Sequence, residues 1–264
     1  MYINGKIQKP VVIMIANQKG GVGKTTLTLE LSNVLGKKGY KVLGIDLDPQ
    51  ISFSKLSGAV VEDDLSIKKT LDSKFGTITP INGLIQSLDN YDIVVGSEAL
   101  SESSSLYGAE GDDWLLADAL ETVTDYDIIL IDSAPGRSRL LYMSYLSADW
   151  VLIPTEADTE ANAGIYKIAA DLKQYSKRNM CHAKILGFVM TKFENTRLHR
   201  FMYDNLILIG KEVNSYPFYT KISKTVKANE ARLSKQSIAD YDTKSKVVEN
   251  YSDLADEIVN RIGV

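Results

Sequence analysis

The stretch "ANQKGGVGKTTLTLEL" (Ala16–Leu31) decides the fold. It follows the apolar run "VVIMI", which is typical of a buried strand, and it leads into a helical pattern from about Thr25 to Lys38. Glycine at positions Gly20, Gly21 and Gly23 lets backbone N–H groups turn toward phosphate oxygens, and the helix N-terminus adds the positive end of its dipole. A strand, a glycine-rich loop and a helix in this order predict a phosphate-binding loop rather than a simple turn with a solvated lysine.

The loop departs from the common pattern G-x-x-x-x-G-K-[ST] in one respect. Gln18 stands where the first glycine is expected, and Lys19 beside it gives the loop a second cation. Lys24 is expected to bridge the β- and γ-phosphates of a nucleotide, Thr25 to ligate Mg²⁺, and Thr26 to contact the α-phosphate. The full set of loop residues expected to bind nucleotide is Gly20, Gly21, Val22, Gly23, Lys24, Thr25 and Thr26.

Carboxylates follow two other predicted strands. Asp46 and Asp48 stand in "GIDLDPQ", and Asp132 ends the strand in "ILIDSAPG". Their position predicts a Mg²⁺ site and a group that orients the attacking water, because phosphoryl transfer depends on positioning and charge stabilisation. An alternative for Asp46 and Asp48 is that they cap the turn that contains Pro49.

The rest of the chain alternates strands with helices. Continuous Val, Ile and Leu runs predict a mainly parallel, twisted sheet in an α/β fold, with helices on both faces, as one domain over residues 1–264. The last segment predicts a helix with its apolar stripe at Val247, Val248, Tyr251, Leu254, Ile258 and Ile262. The least regular stretch, Ser97–Asp113, is expected to be a mobile loop. The predicted strands are Val11–Ala16, Lys41–Asp46, Tyr91–Gly96, Tyr126–Asp132, Trp150–Thr155 and Ala183–Thr191.

Composition excludes several classes of protein. With 264 residues and 44% hydrophobic content the chain can bury a sizeable core, and no apolar run reaches the roughly 20 residues of a membrane span. The N-terminus lacks a signal-peptide pattern, so we expect a cytoplasmic, soluble protein. Cys181 is the single cysteine, which excludes a disulfide or a cysteine-ligated cluster within one chain. Cys181, His182 and His199 are expected to be packing or surface residues.

The net charge of −4 hides an asymmetry along the chain. No Lys or Arg occurs between Phe75 and Gly136, whereas the later part is rich in both. Such polarity favours an anionic partner for the basic part. The basic positions that follow residue 220 are Lys221, Lys224, Lys227, Arg232 and Lys235.

The motifs "NQKGGVGKTT", "DLDPQ", "YDIILIDSAPG" and "WVLIPTEAD", in this order, resemble the ParA group of deviant Walker A ATPases, which segregate plasmids and chromosomes. The similarity continues through "ILGFVMTKFE" to the C-terminal segment and covers nearly the whole chain. The loop alone also occurs in MinD, nitrogenase iron proteins and iron–sulfur scaffold ATPases. Two local departures, "DSAPG" with one proline and "DLDPQ" followed by "ISFSKLSG", affect the expected loop geometry and not the class.

The resemblance assigns roles to particular residues. Lys19 matches the signature lysine, which reaches across a dimer interface to the partner's nucleotide. Asp48 is expected to orient the hydrolytic water, with Asp46 and Asp132 nearer the Mg²⁺. An adenine pocket is implied near Thr191, Lys192 and Pro217. The implied cofactors are ATP and Mg²⁺, and the implied assembly is an ATP-dependent homodimer.

The resemblance also implies partners: non-specific DNA, bound through surface lysines and arginines, and a ParB-like adaptor that stimulates hydrolysis, so that the protein would be nucleoid-associated. Lys221, Lys224 and Lys227 would share one face if their segment is helical, with Arg232 and Lys235 close by; a merely solvated basic face is the alternative. Other open functions are MinD-like membrane cycling, positioning of a protein cargo, and a metabolic ATP-dependent ligase. Membrane cycling is disfavoured, and no membrane partner is expected, because the last helix is acidic.

Overall fold

A computed structural model of the chain describes residues 2–3, 6–7, 9–73 and 79–264. A short antiparallel pair, β1 and β2, precedes a seven-stranded sheet. The strands are β1 (Tyr2–Ile3), β2 (Lys6–Ile7), β3 (Val11–Ile15), β4 (Val42–Asp46), β5 (Gln86–Ser87), β6 (Asp92–Val94), β7 (Ile128–Asp132), β8 (Trp150–Thr155) and β9 (Lys184–Met190).

The seven strands of the main sheet lie in the order β5-β6-β4-β7-β3-β8-β9. All neighbouring pairs are parallel except the edge pair β5–β6, which is antiparallel. Parallel strands require a crossover between them, and the helices of the chain supply it. The carboxyl ends of β3, β4, β7, β8 and β9 therefore meet at one edge of the sheet, where the functional loops lie.

The helices are α1 (Lys24–Lys37), α2 (Ser52–Ser57), α3 (Ile67–Leu71), α4 (Ser103–Leu106), α5 (Leu115–Leu120), α6 (Arg139–Ser147), α7 (Thr159–Ser176), α8 (Arg197–Val213), α9 (Lys227–Leu233), α10 (Ile238–Tyr241) and α11 (Lys246–Ile262). Helices α3, α5, α6, α7 and α8 cover one face of the sheet, while α1, α2, α9, α10 and α11 cover the other.

The sheet is buried on both faces, as its continuous apolar runs predict. Along β3, Val12 and Met14 belong to the core on one face, and Ile13 and Ile15 belong to the core on the other. All four side chains are at most 2% exposed. The predicted α/β fold, with a mainly parallel sheet between two helical layers, is confirmed.

The last helix packs as its spacing predicts. Val247, Tyr251, Leu254 and Ile258 of α11 are buried in one core, and the partly buried Val248 and Ile262 pack against the same core. This stripe repeats every three to four residues, so the opposite, charged face stays in solvent.

The irregular stretch Ser97–Asp113 contains more structure than predicted. A 3₁₀ turn covers Glu98–Glu102, helix α4 follows, and a second 3₁₀ turn begins at Asp112. Leu100 and Tyr107 of this stretch are buried in the core. The expectation of an irregular loop is therefore wrong in part, because two apolar side chains tie these turns to the protein.

A connecting segment lies along the free side of edge strand β9. The Phe218 amide donates to the Phe188 carbonyl (2.8 Å), the Phe188 amide donates to the Tyr216 carbonyl (3.3 Å), and the Ile222 amide donates to the Met190 carbonyl (2.9 Å). Backbone groups of β9 that would otherwise face outward are thus paired within the chain.

Among the described residues, no helix combines the length and the apolar character that a bilayer crossing requires.

Candidate nucleotide-binding site

The loop between β3 and α1 forms the centre of the site. Gly21 and Gly23 adopt φ values of +78° and +90°, in the left-handed region that disfavours a side chain. Helix α1 begins at Lys24, immediately after Gly23. The backbone therefore turns sharply into the helix, and the helix N-terminus is presented to the cavity above the loop.

Residues at the end of β9 hold the loop in place. The Thr191 hydroxyl donates to the Val22 carbonyl (2.9 Å), and the Lys192 ammonium donates to the Gly21 carbonyl (2.8 Å). Val22 itself is fully buried and anchors the loop from below. Thr191 and Lys192 were expected to lie near adenine, which stays a prediction; what the structure shows is their hydrogen bonds to the phosphate loop.

Lys24 lies inside the site. Its side chain is buried, and its ammonium donates to the Lys19 carbonyl at 3.3 Å. Burial lowers the pKa of Lys24, while the nearby carboxylates of Asp132 and Asp48 act in the opposite direction. A buried ammonium with two anions nearby is suited to an anionic ligand, because a polyphosphate would stabilise its charge.

Asp46 and Asp132 are neighbours in register at the ends of β4 and β7. Both are fully buried. Burial raises the pKa of Asp46 to about 6, and burial together with the charge of Asp46 raises the pKa of Asp132 well above its usual value. Two buried carboxyl groups side by side disfavour each other's negative charge. A cation bound between these carboxyl groups and a phosphate would therefore be stabilised here.

The residues present fit a magnesium ion. Asp132 Oδ2 is buried and lacks a hydrogen-bond partner among the described residues, and the Thr25 hydroxyl interacts with the same carboxylate. Within the described ranges, no group of three or more His, Cys, Asp or Glu could hold a metal ion. Thr25 and Asp132 would therefore hold the ion together with phosphate oxygens and water, as Mg²⁺ commonly requires. When bound, the ion would neutralise charge on the phosphates.

Asp46 is less available to a metal ion than Asp132. Its Oδ1 accepts from the Asp48 amide (3.1 Å), and its Oδ2 accepts from the Ser54 amide (2.8 Å) and hydroxyl (2.7 Å). These bonds fix the turn after β4. Both oxygens of Asp46 are therefore engaged in holding the turn that carries Asp48, which leaves Asp46 less free to ligate a metal ion.

Asp48 lines the cavity and also stabilises the turn. Its Oδ1 accepts from the Gln50 amide at 2.9 Å. Asp48 can therefore both cap the turn and orient a water molecule, because the hydrogen bond from Gln50 holds its carboxylate at the cavity wall. A general base must be held within reach of the water that it orients.

The cavity above the loop has a volume of about 520 Å³. Beyond the phosphate loop it extends between β9 and the segment that leads into α9. Sequence reasoning missed most residues of this extension and assigned two of them, Lys224 and Arg232, to DNA. The residues that line the extension are Ile222, Ser223, Lys224, Thr225, Ala228, Asn229, Arg232, Ile238, Val247 and Tyr251.

Pro217 does not lie where it was expected. It lines a separate depression with Trp150, Tyr203 and Arg261. Its backbone forms a bridge with Phe188, in the middle of β9, and so it lies below the carboxyl end of the sheet. The structure does not bring Pro217 to the cavity with Thr191 and Lys192.

Lys19, the additional cation, turns away from the cavity. Its ammonium contacts the carboxylate of Asp158 and lies 3.7 Å from that of Glu160. The hydrogen bond that the Lys19 ammonium donates to Asp158 raises the pKa of Lys19. Sequence reasoning missed both acidic residues, although they stand in "EADTE" (156–160), directly after strand β8. The carboxyl ends of parallel strands are where sites form.

Comparison with known proteins agrees with this geometry. Residues 10–185 match the family described as "AAA domain". The sporulation initiation inhibitor protein Soj of Bacillus subtilis is 30% identical over 256 residues, which cover 94% of this chain and 97% of that protein. The chain belongs to the ParA/MinD-type P-loop ATPases.

Solved structures support the same conclusion. A plasmid partition protein from Borrelia burgdorferi bound to AMPPNP is 26% identical, with a TM-score of 0.75, over 96% of this chain and 98% of that one. McdA from Cyanothece in complex with ATP has a TM-score of 0.82 at 19% identity over 98% of both chains, which shows the fold alone. As a ParA/MinD-type ATPase the chain hydrolyses ATP.

Two of the lysines of this ATPase that were expected to contact DNA, Lys221 and Lys224, lie outside a helix. Helix α9 begins at Lys227, so Lys221 and Lys224 precede the helix, and the condition for a shared helical face is not met. Lys221 packs over the Tyr203 ring, 3.8 Å from its centroid. Lys224 and Lys227 form ion pairs with glutamates at 3.2 Å and 2.9 Å.

The cysteine and histidines of this ATPase are packing or surface groups, as expected. Cys181 is buried and donates to the Tyr145 carbonyl at 3.0 Å, and burial raises its pKa. His199 packs edge-on against Phe193, and His182 is exposed beside Asp149.

Proposed function

We propose that this chain is a DNA-partitioning ATPase. Binding of ATP and Mg²⁺ would join two copies in a homodimer, and the homodimer would bind DNA without sequence preference. Hydrolysis would separate the subunits and release the DNA, and a ParB-like adaptor would stimulate it. Relatives carry names of this kind: Soj of Thermus thermophilus, 28% identical, is a chromosome-partitioning ATPase.

The observation that carries the proposal is the position of Lys19. Of the two lysines of the motif, Lys24 lines the cavity, whereas the Lys19 ammonium contacts Asp158 and lies near Glu160, outside the cavity. A cation at the rim of a phosphate site can reach the phosphates of a second copy that faces it. Supplied in this way, it would act as an arginine finger does and make the triphosphate part of the interface.

The proposed DNA surface consists of Lys227, Arg232 and Lys235. Lys227 and Arg232 lie on α9, and Lys235 lies two residues beyond its end; Arg232 and Lys235 are exposed. Contacts between such side chains and phosphates give affinity that does not depend on sequence and that falls with salt. Arg232 also lines the nucleotide cavity, so bound ATP and bound DNA would meet at α9.

The first experiment measures mass in solution by light scattering, without nucleotide, with ADP and with ATP. We use Asp48→Ala to slow turnover and Lys19→Gln to remove the rim cation. Asp48→Ala should dimerise with ATP only, while the double variant that adds Lys19→Gln should bind a fluorescent ATP analogue and remain a monomer. A double variant that still dimerises with ATP would refute the proposed role of Lys19.

The second experiment titrates labelled duplex DNA at several salt concentrations with ATP present. Lys227→Gln, Arg232→Gln and Lys235→Gln together should weaken binding and reduce the salt slope by about three, about one for each lost phosphate contact. The control replaces Lys173 and Lys177, exposed on and just after α7, with Gln. An equal loss in both variants, or no loss in either, would place the DNA surface elsewhere.

A further inference from the structure

A buried carboxylate lies in the middle of α1, beyond the end of the helix that meets the phosphate loop. Glu30 is fully buried, and its two oxygens accept from the backbone amides of Ile238 (2.5 Å) and Ala239 (3.1 Å). These amides belong to the first turn of α10, 208 and 209 positions further along the chain. A charged acceptor in an apolar interior is costly unless such donors compensate it.

Two further side chains of α1 hold the same segment. Asn33 Nδ2 donates to Ser237 Oγ (2.5 Å) and to Asp240 Oδ2 (2.6 Å), and the Lys37 ammonium donates to Asp240 Oδ1 (2.6 Å). Positions 30, 33 and 37 lie on one side of the helix, as their spacing of three and four requires. Helix α1 therefore grips residues 237–240 at three points.

The segment held in this way forms a wall of the nucleotide cavity. Ile238 lines the cavity beside Val247 and Tyr251 of α11, while Lys24 and Thr25 at the start of α1 line its phosphate end. One helix thus carries the phosphate-binding residues at its N-terminus and fixes a wall of the same cavity through Glu30. A change at Glu30 would alter the space between that wall and the phosphate loop.

We propose that Glu30 is a positioning residue of the nucleotide cavity, which sets the wall at Ile238 relative to the phosphate loop and makes the affinity for ATP depend on pH. The inference rests on the proposed binding of ATP in this cavity.

Several titratable groups face Glu30. Burial raises the pKa of Glu30 to about 7; the amides of Ile238 and Ala239 oppose that shift, Asp240 adds to it, and Lys37 opposes it. The phenols of Tyr91 and Tyr251 also lie near, and their pKa values are raised by burial first and by Glu30 second. The carboxyl group therefore changes its charge close to neutral pH.

The two forms of Glu30 hold α10 differently. The ionised carboxylate accepts from both amides, whereas the protonated carboxyl group has a hydroxyl that donates, so one amide loses a full acceptor. Hydrogen bonds to an ionised group are also the stronger ones. Within the buried site the two amides lower the pKa of Glu30, so ionisation strengthens the contact between Glu30 and these amides. The wall at Ile238 should consequently be firmer above pH 7 than below it. Glu30→Gln imitates the protonated form at every pH.

The test is a titration of the full-length chain with a fluorescent ATP analogue at pH 6 and at pH 8. The dissociation constant of Glu30→Gln, divided by that of the wild type, should rise from about 1 at pH 6 to about fivefold at pH 8, a coupling of ordinary size. Titration of the ATP phosphates cancels in this ratio. The matched control is Glu249→Gln, which removes an exposed carboxylate from α11 and should leave the ratio near 1 at both pH values.

A second variant keeps the inference testable if Glu30→Gln does not fold. Lys37→Gln removes the cation that favours ionised Glu30, so the midpoint of the affinity profile should move to higher pH. A ratio for Glu30→Gln that stays the same at pH 6 and pH 8, or a Lys37→Gln midpoint that does not move, would overturn the inference. Wild-type protein that binds no ATP analogue would instead refute the nucleotide site itself, together with this inference.

Discussion

Gly164 is a position where α7 contacts the start of the phosphate loop. A β-carbon at this position would lie 2.2 Å from Asn17 Oδ1 and 3.0 Å from Asn17 Cγ. Asn17 is buried, its Oδ1 accepts from the Lys19 amide (3.0 Å), and its Nδ2 donates to the Pro154 carbonyl (2.8 Å). The substitution Gly164→Ala must therefore displace the side chain that fixes the beginning of the loop.

Two effects of Gly164→Ala oppose each other. Alanine in the interior of a helix is favoured over glycine by roughly 0.5–1 kcal/mol. Insertion of a methyl group into a packed interior costs about 1–3 kcal/mol, and a hydrogen bond lost at Asn17 adds about 0.5–1.5 kcal/mol. The steric term is larger, so the variant should lose about 1–3 kcal/mol of unfolding free energy.

The assay is urea unfolding of the nucleotide-free protein, followed by titration with a fluorescent ATP analogue. Binding should weaken as well, because Asn17 positions the Lys19 amide at the loop. Lys173→Ala, at an exposed position of the same helix, is the control and should change neither quantity by more than about 0.5 kcal/mol. A Gly164→Ala protein that is as stable as the wild type, or more stable, would show that α7 does not press on the loop.

Three further predictions concern the site. Lys24→Ala should abolish binding of a fluorescent ATP analogue, and normal affinity would contradict the loop assignment. Thr191→Val should cost about 1–3 kcal/mol in urea unfolding, because the Val22 carbonyl loses its donor; an unchanged midpoint would contradict that tie. The raised pKa values of Asp46, about 6, and Asp132 mean that the folded apo-protein binds more protons than the unfolded chain above pH 4. Its stability should therefore fall as pH rises from about 4 through 6, and Asp132→Asn should reduce that slope in thermal unfolding; an identical slope would contradict it.

Sequence reasoning succeeded where the information is local. The phosphate loop lies within a dozen consecutive residues, and its glycines and lysine have one common arrangement between a strand and a helix. Asp48 and Asp132 lie at the predicted edge of the sheet, because the carboxyl ends of parallel strands meet there; their chemical roles stay predictions. The apolar stripe of α11 was equally clear, since its period matches a helix.

Sequence reasoning failed where tertiary contacts decide. Residues near Lys224 are extended because the Phe193 amide donates to the Ile222 carbonyl (2.8 Å) and the Lys224 amide donates to the Phe193 carbonyl (3.0 Å). Neither partner can be read from spacing within the segment. Glu30 likewise shows only as a polar residue within an apolar helix, and its partners lie in a part of the chain that no local pattern connects to it.

The segment along β9 has a consequence for how copies of the protein can associate. Strand-by-strand growth of a sheet needs a row of unsatisfied amides and carbonyls at its rim. At β9 the amide and carbonyl of Phe188 and the carbonyl of Met190 are already satisfied within the chain. A second copy that added a strand at this rim would therefore first have to displace the chain's own segment from β9.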